Sequence, residues 1–250
     1  MTDEACTFLA WDSDFFDSRI GRLNADRLTD ESLRIVLDWC ATRAIQCLYF
    51  LADPNQPTSI GLAERNGFHL VDVRVTLERR IAAREPPRTE GEILVRPSND
   101  ADIPVLCAIA AVCHRDSRFY FDHNFPRSRC DALYETWIRK SCEGYADIVL
   151  VAEFEGRAAG YCACRLVGPG AGQIGLLGVD PDMLGRGLGQ SLIEASLIWF
   201  TQKGATLVSV VTQGRNCKAQ RAYQRSGFLT QSVELWYHKW FDNKRSLNLF

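Results

Sequence analysis

The stretch MLGRGLGQSL, residues 183–192, places glycine at three alternate positions, Gly185, Gly187 and Gly189, directly before an amphipathic helix pattern. A tight turn needs one or two glycines, so three in this register indicate that a ligand comes close to the main chain. The N–H groups at a helix start have no partners within the helix, and with the helix dipole they form a site for phosphate or pyrophosphate. A plain strand-to-helix turn is the alternative interpretation.

The loop fits neither of two common phosphate-binding motifs. A dinucleotide site reads G-x-G-x-x-G with an acidic residue ~20 positions later, whereas residues 185–189 read G-x-G-x-G. A P-loop continues with Lys and then Ser or Thr, and this sequence does not. The sequence therefore predicts a phosphate ligand of another kind.

The composition is that of a soluble globular protein. The 250 residues are 46% hydrophobic and 24% charged, which is enough apolar material for one large domain or two ordinary ones. The formal charge of -2 gives no footprint for nucleic acid or an anionic membrane. The acidic N-terminus does not read as a signal peptide, and the longest apolar run, 11 residues at 103–113, is too short to span a bilayer. We expect a cytoplasmic protein, with a homodimer left open.

The ten cysteines indicate neither a disulfide framework nor a zinc site. No pair has the spacing C-x-x-C, and the closest pair, Cys162 and Cys164, falls in GYCACRL, where alternation puts both on one face of a strand. Disulfide scaffolds are normally short secreted chains with much denser cysteine. We expect reduced thiols that pack as small hydrophobic side chains, and no metal site.

Residues 81–92, IAAREPPRTEGE, interrupt the apolar pattern with charge, a Pro-Pro pair and a glycine, and so predict a boundary between domains at 1–85 and 92–245. Strand and helix patterns then alternate with short connections, which predicts an α/β fold with a mixed sheet flanked by helices. The helix behind the glycine loop is expected to bury one face with the period of 3.6 residues, comprising Leu188, Leu192, Ala195 and Trp199.

Residues 31–80 resemble residues 191–240 at a constant offset of 160, without gaps. Trp39 then falls on Trp199, and Gly67-Phe68 on Gly227-Phe228. This pattern predicts that the N-terminal half is a degenerate copy of part of the C-terminal fold. Opposite residues 185–189 the first copy reads ADRLT, and opposite Tyr223 it has alanine, so the first copy lacks the glycine loop.

Two linked motifs resemble the GCN5-related N-acetyltransferase (GNAT) family. The segment LLGVDPDMLGRGLGQSL is similar to its acetyl-CoA motif, (Gln/Arg)-x-x-Gly-x-(Gly/Ala), with Leu184 where the family usually has Gln or Arg. The segment GRNCKAQRAYQRSGF, residues 214–228, is similar to a second family motif that contains an Asn and a Tyr. Further stretches at 9–23, 116–138 and 174–179 resemble members that acetylate nucleotide-linked 4-amino-4,6-dideoxy sugars. The resemblance implies a GNAT fold with a truncated N-terminal half-domain.

The resemblance also implies how acetyl-CoA binds. The strand before the loop would pair with the pantetheine arm through Leu177 and Val179, and the loop would hold the pyrophosphate. Asn216 either positions the cosubstrate or caps its helix, and the sequence favours neither. The expected cofactor-binding residues are Leu177, Val179, Leu184, Gly185, Arg186, Gly187, Leu188, Gly189, Gln190, Asn216 and Tyr223.

Amide formation from a thioester needs a neutral amine and a group that stabilises the departing thiolate. Tyr223 is the candidate general acid, since a phenol of pKa ~10 is protonated at neutral pH; the alternative is a core aromatic. Asp72 is the candidate base, with Asp14 and Asp17 as further candidates, and each could equally be a solvated surface carboxylate. Water could also relay the amine proton.

The polar, aromatic segment RDSRFYFD, residues 115–122 between His114 and His123, is expected to form part of the acceptor pocket. Ser117, Arg118 and Phe119 are the candidate acceptor-binding residues, and a mobile surface loop is the competing interpretation. The predicted function is acetyl transfer from acetyl-CoA to a small-molecule amine, above all a nucleotide-linked amino-deoxy sugar such as dTDP-4-amino-4,6-dideoxygalactose. The alternatives are a peptide or protein N-acetyltransferase and a regulatory module that binds acyl-CoA without turnover.

Overall fold

The computed structural model describes residues 5–81 and 93–241, so the predicted boundary beyond Ile81 lies outside the described residues. The predicted mixed α/β fold is confirmed. The described strands are β1 (Cys6–Phe8), β2 (Ile20–Leu23), β3 (Cys47–Ala52), β4 (His69–Arg80), β5 (Leu94–Pro97), β6 (Ile148–Phe154), β7 (Arg157–Gly168), β8 (Ala171–Val179), β9 (Leu207–Gln213) and β10 (Leu229–Trp240). The described α-helices are α1 (Ala10–Phe16), α2 (Asp30–Thr42), α3 (Pro57–Arg65), α4 (Ile103–Cys113), α5 (Arg118–Phe121), α6 (Arg127–Lys140), α7 (Leu188–Gln202) and α8 (Cys217–Arg225).

The chain forms two compact units that do not follow the order of the sequence. Among the described residues, unit 1 contains 5–74, 121–125 and 233–241, and unit 2 contains 75–81, 93–120 and 126–232. Unit 1 therefore includes most of β10 from the C-terminal half of the chain, and unit 2 includes the second part of β4 from the N-terminal half.

Unit 1 is built on strands in the order β1-β2-β3-β10. β2 and β3 are parallel, and β10 pairs antiparallel with β3 from Leu235↔Ala52 to Trp240↔Cys47. Helix α2 starts with a capping box in which the Thr29 hydroxyl accepts from the Ser32 N–H. Its apolar face packs with β3 and α3 into one core that includes Val36, Trp39, Leu48, Phe50 and Phe68.

Unit 2 carries a mixed sheet in the order β9-β8-β7-β6-β5. Adjacent strands are antiparallel from β5 to β8, and β8 and β9 are parallel. The parallel pair needs a crossover connection, and α7 supplies it between the end of β8 and the start of β9. The glycine loop therefore lies at the carboxyl end of β8.

Equivalent elements of the two sequence halves have matching bounds. α8 begins and ends 160 residues after α3, and β10 begins and ends 160 residues after β4. After each of these helices a glycine has positive φ, 74° at Gly67 and 79° at Gly227, and a buried phenylalanine follows. Glycine is favoured there because a residue with a Cβ is strained in the left-handed conformation that ends a helix.

The buried face of α7 differs from the face expected from the sequence. Ala195 and Trp199 are only half-buried, and the buried side chains are Leu188, Leu192, Ile193, Ser196, Leu197 and Phe200. Gly172 in β8 makes room for Phe200 on the observed buried face of α7, because a Cβ at Gly172 would lie 2.4 Å from the Phe200 ring. The missing side chain lets Phe200 pack directly on the strand, and the periodicity of α7 alone did not reveal it.

A buried carboxylate holds residues 121–125 in unit 1. Asp122 Oδ2 accepts from His238 Nδ1 at 2.6 Å and from Trp240 Nε1 at 2.7 Å. Burial alone would raise the pKa of Asp122, but the hydrogen bonds with His238 and Trp240 hold it below its ordinary value. Cys47 lies close to Asp122 and His238, their candidate ligand atoms falling within 4.8 Å of one another. The short contact between His238 and Asp122 is that of a hydrogen-bonded pair.

The ten cysteines all lie in the described residues, and the structure joins no two of them in a disulfide. Seven of the ten are buried. Cys162 and Cys164 lie on one face of β7 with their sulfurs 3.7 Å apart. In the described part of the chain, every helix is too short or too polar to cross a membrane.

Candidate active site

The glycine loop of unit 2 contains two glycines in the left-handed region of backbone conformation. Gly185 and Gly187 have φ of 82° and 87°, a region that side chains with a Cβ rarely adopt. A Cβ at Gly185 would meet no atom within 4 Å, so the conformation of the main chain requires this glycine and crowding does not. Gly187 is the N-cap of α7, and the loop before it is exposed to solvent.

The start of α7 presents main-chain donors to solvent. Ser191 is the first residue of α7 whose N–H bonds back to the helix, to the Gly187 carbonyl at 3.0 Å. The amides of Leu188, Gly189 and Gln190 precede it and point out of the positive end of the helix. Since Gly187 has no side chain to cap them, these donors can bind an anion.

Two side chains of the loop are already engaged by the protein. The Arg186 guanidinium lies over the Phe154 ring at 4.7 Å. Gln190 Nε2 donates to Glu194 Oε1 at 3.0 Å and to Ser226 Oγ at 2.9 Å, which ties α7 to the end of α8. At Gln190 the main-chain N–H, and not the side chain, is therefore available to a ligand.

Strand β8 extends beyond its pairing with β9. The register with β9 runs from Ala171↔Leu207 to Ile174↔Val210, whereas pairing with β7 continues to Gly160↔Val179. Residues 175–179, which include Leu177 and Val179, are thus held along one edge by β7. Along the other edge they extend beyond the residues of β8 that pair with β9. An extended ligand with amide groups can pair with such a strand edge.

Tyr223 lies on α8 and is 5% exposed. Its ring packs edge-on against Phe228 with centroids 5.6 Å apart. Among the described residues, none forms a hydrogen bond with its hydroxyl. Burial raises the pKa of Tyr223 above its ordinary value, and the neighbouring thiols of Cys162 and Cys164 raise it further. The hydroxyl is therefore a neutral donor at physiological pH.

Asn216 caps the helix that carries Tyr223. Its Oδ1 accepts from the Ala219 N–H at 3.0 Å. Of the two roles that the sequence left open, the structure thus provides the cap. The cap fixes the start of α8, two turns before Tyr223.

The three predicted acceptor residues differ in their surroundings. Ser117 is buried, and its Oγ has no hydrogen-bond partner within the described chain. The Arg118 guanidinium lies 4.4 Å above the Phe119 ring, and that ring is itself buried against Trp137. The segment is tied to the loop before α8 by Arg215, whose guanidinium donates to the Asp116 carbonyl at 3.3 Å.

A groove of about 880 Å³ runs along the side of α7 that faces β5 and β6. It borders Arg186 and Gly187 and is otherwise lined largely by apolar side chains such as Leu94, Ile148 and Trp199. Its lining includes neither Tyr223 nor Leu177. It therefore lies apart from the residues that could carry the chemistry.

The segment that carries the uncapped start of α7 and the buried Tyr223 is similar to known proteins. Residues 110–228 match the model of the acetyltransferase (GNAT) family. The match spans 119 of the 250 residues, slightly less than half of the chain. The match includes the glycine loop, the helix with Tyr223 and the segment with Ser117.

Two curated relatives and a solved structure are also similar to this chain. The chain is 30% identical over 146 residues to spore coat polysaccharide biosynthesis protein SpsD of Bacillus subtilis, covering 58% of this chain and 50% of the relative. It is 28% identical over 144 residues to dTDP-fucosamine acetyltransferase of Escherichia coli, covering 57% and 61%. The chain thus matches little more than half the length of these relatives. A GCN5-related N-acetyltransferase from Sphaerobacter thermophilus has the same fold, with a TM-score of 0.68 at 16% identity over 94% of this chain and 76% of that one.

The candidate bases lie in unit 1. Asp72 in β4 is buried, and its Oδ1 accepts from the Val73 N–H at 2.8 Å. Asp14 and Asp17 are exposed on and after α1. Burial distinguishes Asp72 from the other two carboxylates, and its role as base stays a prediction.

Local sequence patterns gave no indication of a buried group beneath the end of β8 in unit 2. Tyr161 of β7 lies directly opposite Gly178, and its hydroxyl is 2.7 Å from His114 Nε2. The three residues are distant in sequence, so no local motif connects them. The glycine inside an apolar strand was the one available signal, because such a glycine often marks close approach by another group.

Proposed function

We propose that this chain is an acetyl-CoA-dependent N-acetyltransferase that acts on the amino group of a small molecule. The proposed acceptor is a nucleotide-linked amino-deoxy sugar such as dTDP-4-amino-4,6-dideoxygalactose. The observation that carries the proposal is found in unit 2, where the uncapped start of α7 occurs together with Tyr223, a buried neutral donor whose hydroxyl has no partner in the described chain. Each of these features leaves hydrogen-bond donors to which a ligand can supply an acceptor.

Acetyl-CoA supplies an activated thioester carbonyl when it is bound. The main-chain N–H groups of residues 188–190 would hold its pyrophosphate, and the loop residues Leu184, Gly185 and Arg186 would flank it. The edge of β8 at Leu177 and Val179 would align the pantetheine arm. Alignment of two reactants is worth about 7 kcal/mol or more, which makes it the largest contribution that these residues can make.

Tyr223 would stabilise the leaving thiolate mainly by donating a hydrogen bond. A free thiol has a pKa of about 8.5 and a phenol one of about 10, so full proton transfer is already uphill on ordinary values. Burial raises the pKa of Tyr223 further, which makes full transfer less favourable. A neutral hydroxyl that donates to a developing anion needs no transfer to lower the barrier.

The proposed acceptor side begins at Ser117 and Arg118. A buried hydroxyl without a partner costs free energy unless a ligand satisfies it, so Ser117 Oγ is suited to a polar acceptor. Arg118 offers a cation for a diphosphate group. The relatives named for dTDP-fucosamine and for spore coat polysaccharide support a sugar acceptor. Asp72 is our candidate to receive the amine proton, with relay by water as the alternative.

The test is CoA release with a panel of nucleotide-linked amino sugars, free amino sugars, amino acids and peptides. We expect nucleotide-linked 4-amino sugars to give the highest kcat/KM. Higher turnover on peptides would move the acceptor to that class, and acetyl-CoA binding without turnover on any amine would favour a regulatory module.

A further inference from the structure

Tyr161 fills space that a side chain at Gly178 would otherwise occupy. The two residues are paired across β7 and β8, and a Cβ built on Gly178 would lie 2.6 Å from Tyr161 Cζ, 2.7 Å from its hydroxyl oxygen and 2.8 Å from Cys113 Sγ. Atoms this close cannot coexist, so the glycine is required by the tyrosine and cysteine packed on it. Tyr161 itself is completely buried.

The Tyr161 hydroxyl bonds to His114, the residue that follows α4. Tyr161 Oη and His114 Nε2 are 2.7 Å apart, and the His114 ring is stacked on Tyr134 with centroids 4.5 Å apart. Burial lowers the pKa of His114 to about 4, so the imidazole is neutral at physiological pH. Burial also raises the pKa of Tyr161, so the hydrogen bond joins two neutral groups.

His114 directly precedes residues 115–120, the part of the proposed acceptor segment that lies in unit 2. The segment is held at one point by the bond from Arg215 to the Asp116 carbonyl. It is held at its start by the contact between His114 and Tyr161. Tyr161 therefore connects the start of this segment to β8 at Gly178, between Leu177 and Val179, which are proposed to align the pantetheine arm.

We propose that Tyr161 is a positioning residue for the acceptor, whose hydrogen bond to His114 sets residues 115–120 relative to the carboxyl end of β8. This inference rests on the proposed function. The competing role is ordinary core packing, in which the hydroxyl contributes only to stability.

The test variant is Tyr161→Phe, which keeps the ring against Gly178 and deletes the bond to His114. The matched control is Tyr237→Phe, because Tyr237 is also buried and its hydroxyl bonds to a side chain of unit 1, Glu64 at 3.0 Å. The Tyr161 hydroxyl contacts Cys113 Sγ at 3.8 Å in addition to His114, so Tyr161→Phe removes that weaker contact as well. We expect Tyr161→Phe to raise the KM for the best acceptor about fivefold or more, within the range for one buried hydrogen bond. The Kd for acetyl-CoA should stay within about twofold, and Tyr237→Phe should leave both constants unchanged.

Amide hydrogen exchange gives a second readout that does not depend on turnover. In Tyr161→Phe the amides of residues 115–120 should exchange about threefold faster or more, relative to the parent and to Tyr237→Phe. Unchanged exchange in this segment, or an unchanged acceptor KM, would overturn the positioning role. A parent protein that acetylates no amine, but whose segment 115–120 still loosens in Tyr161→Phe, would instead refute the proposed function and with it the acceptor role of Tyr161.

Discussion

The substitution Tyr223→Phe separates catalysis from packing in unit 2. The ring packs on Phe228 and is 5% exposed, and phenylalanine keeps this contact. Because none of the described residues bonds to the hydroxyl, its removal leaves no protein group unsatisfied, and the free energy of unfolding should change by less than about 0.5 kcal/mol. A donor aimed at a developing anion is worth about 2.7–4 kcal/mol, so kcat should fall by about 100-fold to 1,000-fold.

The assay is single-turnover acetyl transfer with the best acceptor, under conditions where chemistry limits the rate, together with acetyl-CoA affinity and melting temperature. Tyr237→Phe is again the matched control, since it deletes a hydroxyl that donates to Glu64. The control should lower stability by about 1 kcal/mol and leave kcat unchanged. If Tyr223→Phe turns over like the parent, Tyr223 is a packing residue and the leaving thiolate is stabilised elsewhere.

Three other substitutions test separate parts of the structure. Gly187→Trp should weaken acetyl-CoA binding by about 100-fold or more, because the side chain would block the loop. Gly156→Trp, at φ 75° in an open turn, is the control for the strain of about 1–2 kcal/mol that a non-glycine residue has at positive φ. If calorimetry gives Gly187→Trp the same acetyl-CoA affinity as the parent, the pyrophosphate site is refuted. Asn216→Ala should cost about 1 kcal/mol of stability through loss of the cap and leave the chemical step nearly unchanged; a large loss of kcat at full stability would give Asn216 a direct role. Asp122→Asn should lower the free energy of unfolding at neutral pH. Because the pKa of Asp122 is lowered in the folded protein, the difference in this free energy between parent and variant should shrink as pH falls below about 4. A difference, measured by urea unfolding, that stays constant from pH 7 to pH 3 would contradict this.

Local patterns in the sequence were sufficient for the parts of the site that depend on local backbone geometry. Glycines at alternate positions predicted a loop with unusual backbone freedom, and Gly185 and Gly187 have positive φ, which few other residues tolerate. Residues 214–228 predicted a helix that Asn216 could cap, and α8 is that helix. The cap at Asn216 was one of two open readings, since an N-cap and a ligand-binding amide use the same side-chain oxygen.

Contacts between distant residues could not be predicted in this way. Asp122 and His238 are 116 residues apart, and His114 and Tyr161 are 47 apart. Their partners depend on which strands become neighbours, and the periodicity within a strand does not specify this. The membership of β10 in unit 1 is of the same kind, because its alternation of side chains would suit several neighbouring strands.

The two halves of the chain show why the chemistry is expected in only one of them. Helix α2 begins with Thr29, whose hydroxyl accepts from the Ser32 N–H, so the protein itself satisfies a donor at that helix start. Helix α7 begins with Gly187, which has no side chain to do the same. Opposite Tyr223 the first half has Ala63, which is fully buried and carries no donor. A helix start that is capped by its own chain has fewer donors left for a ligand, whereas an uncapped one leaves them to water or to a bound anion. An acetyl-CoA-dependent transferase needs donors for the pyrophosphate at one end of acetyl-CoA and for the leaving thiolate at the other. The uncapped start of α7 and the Tyr223 hydroxyl would supply these donors, and core packing alone would require neither.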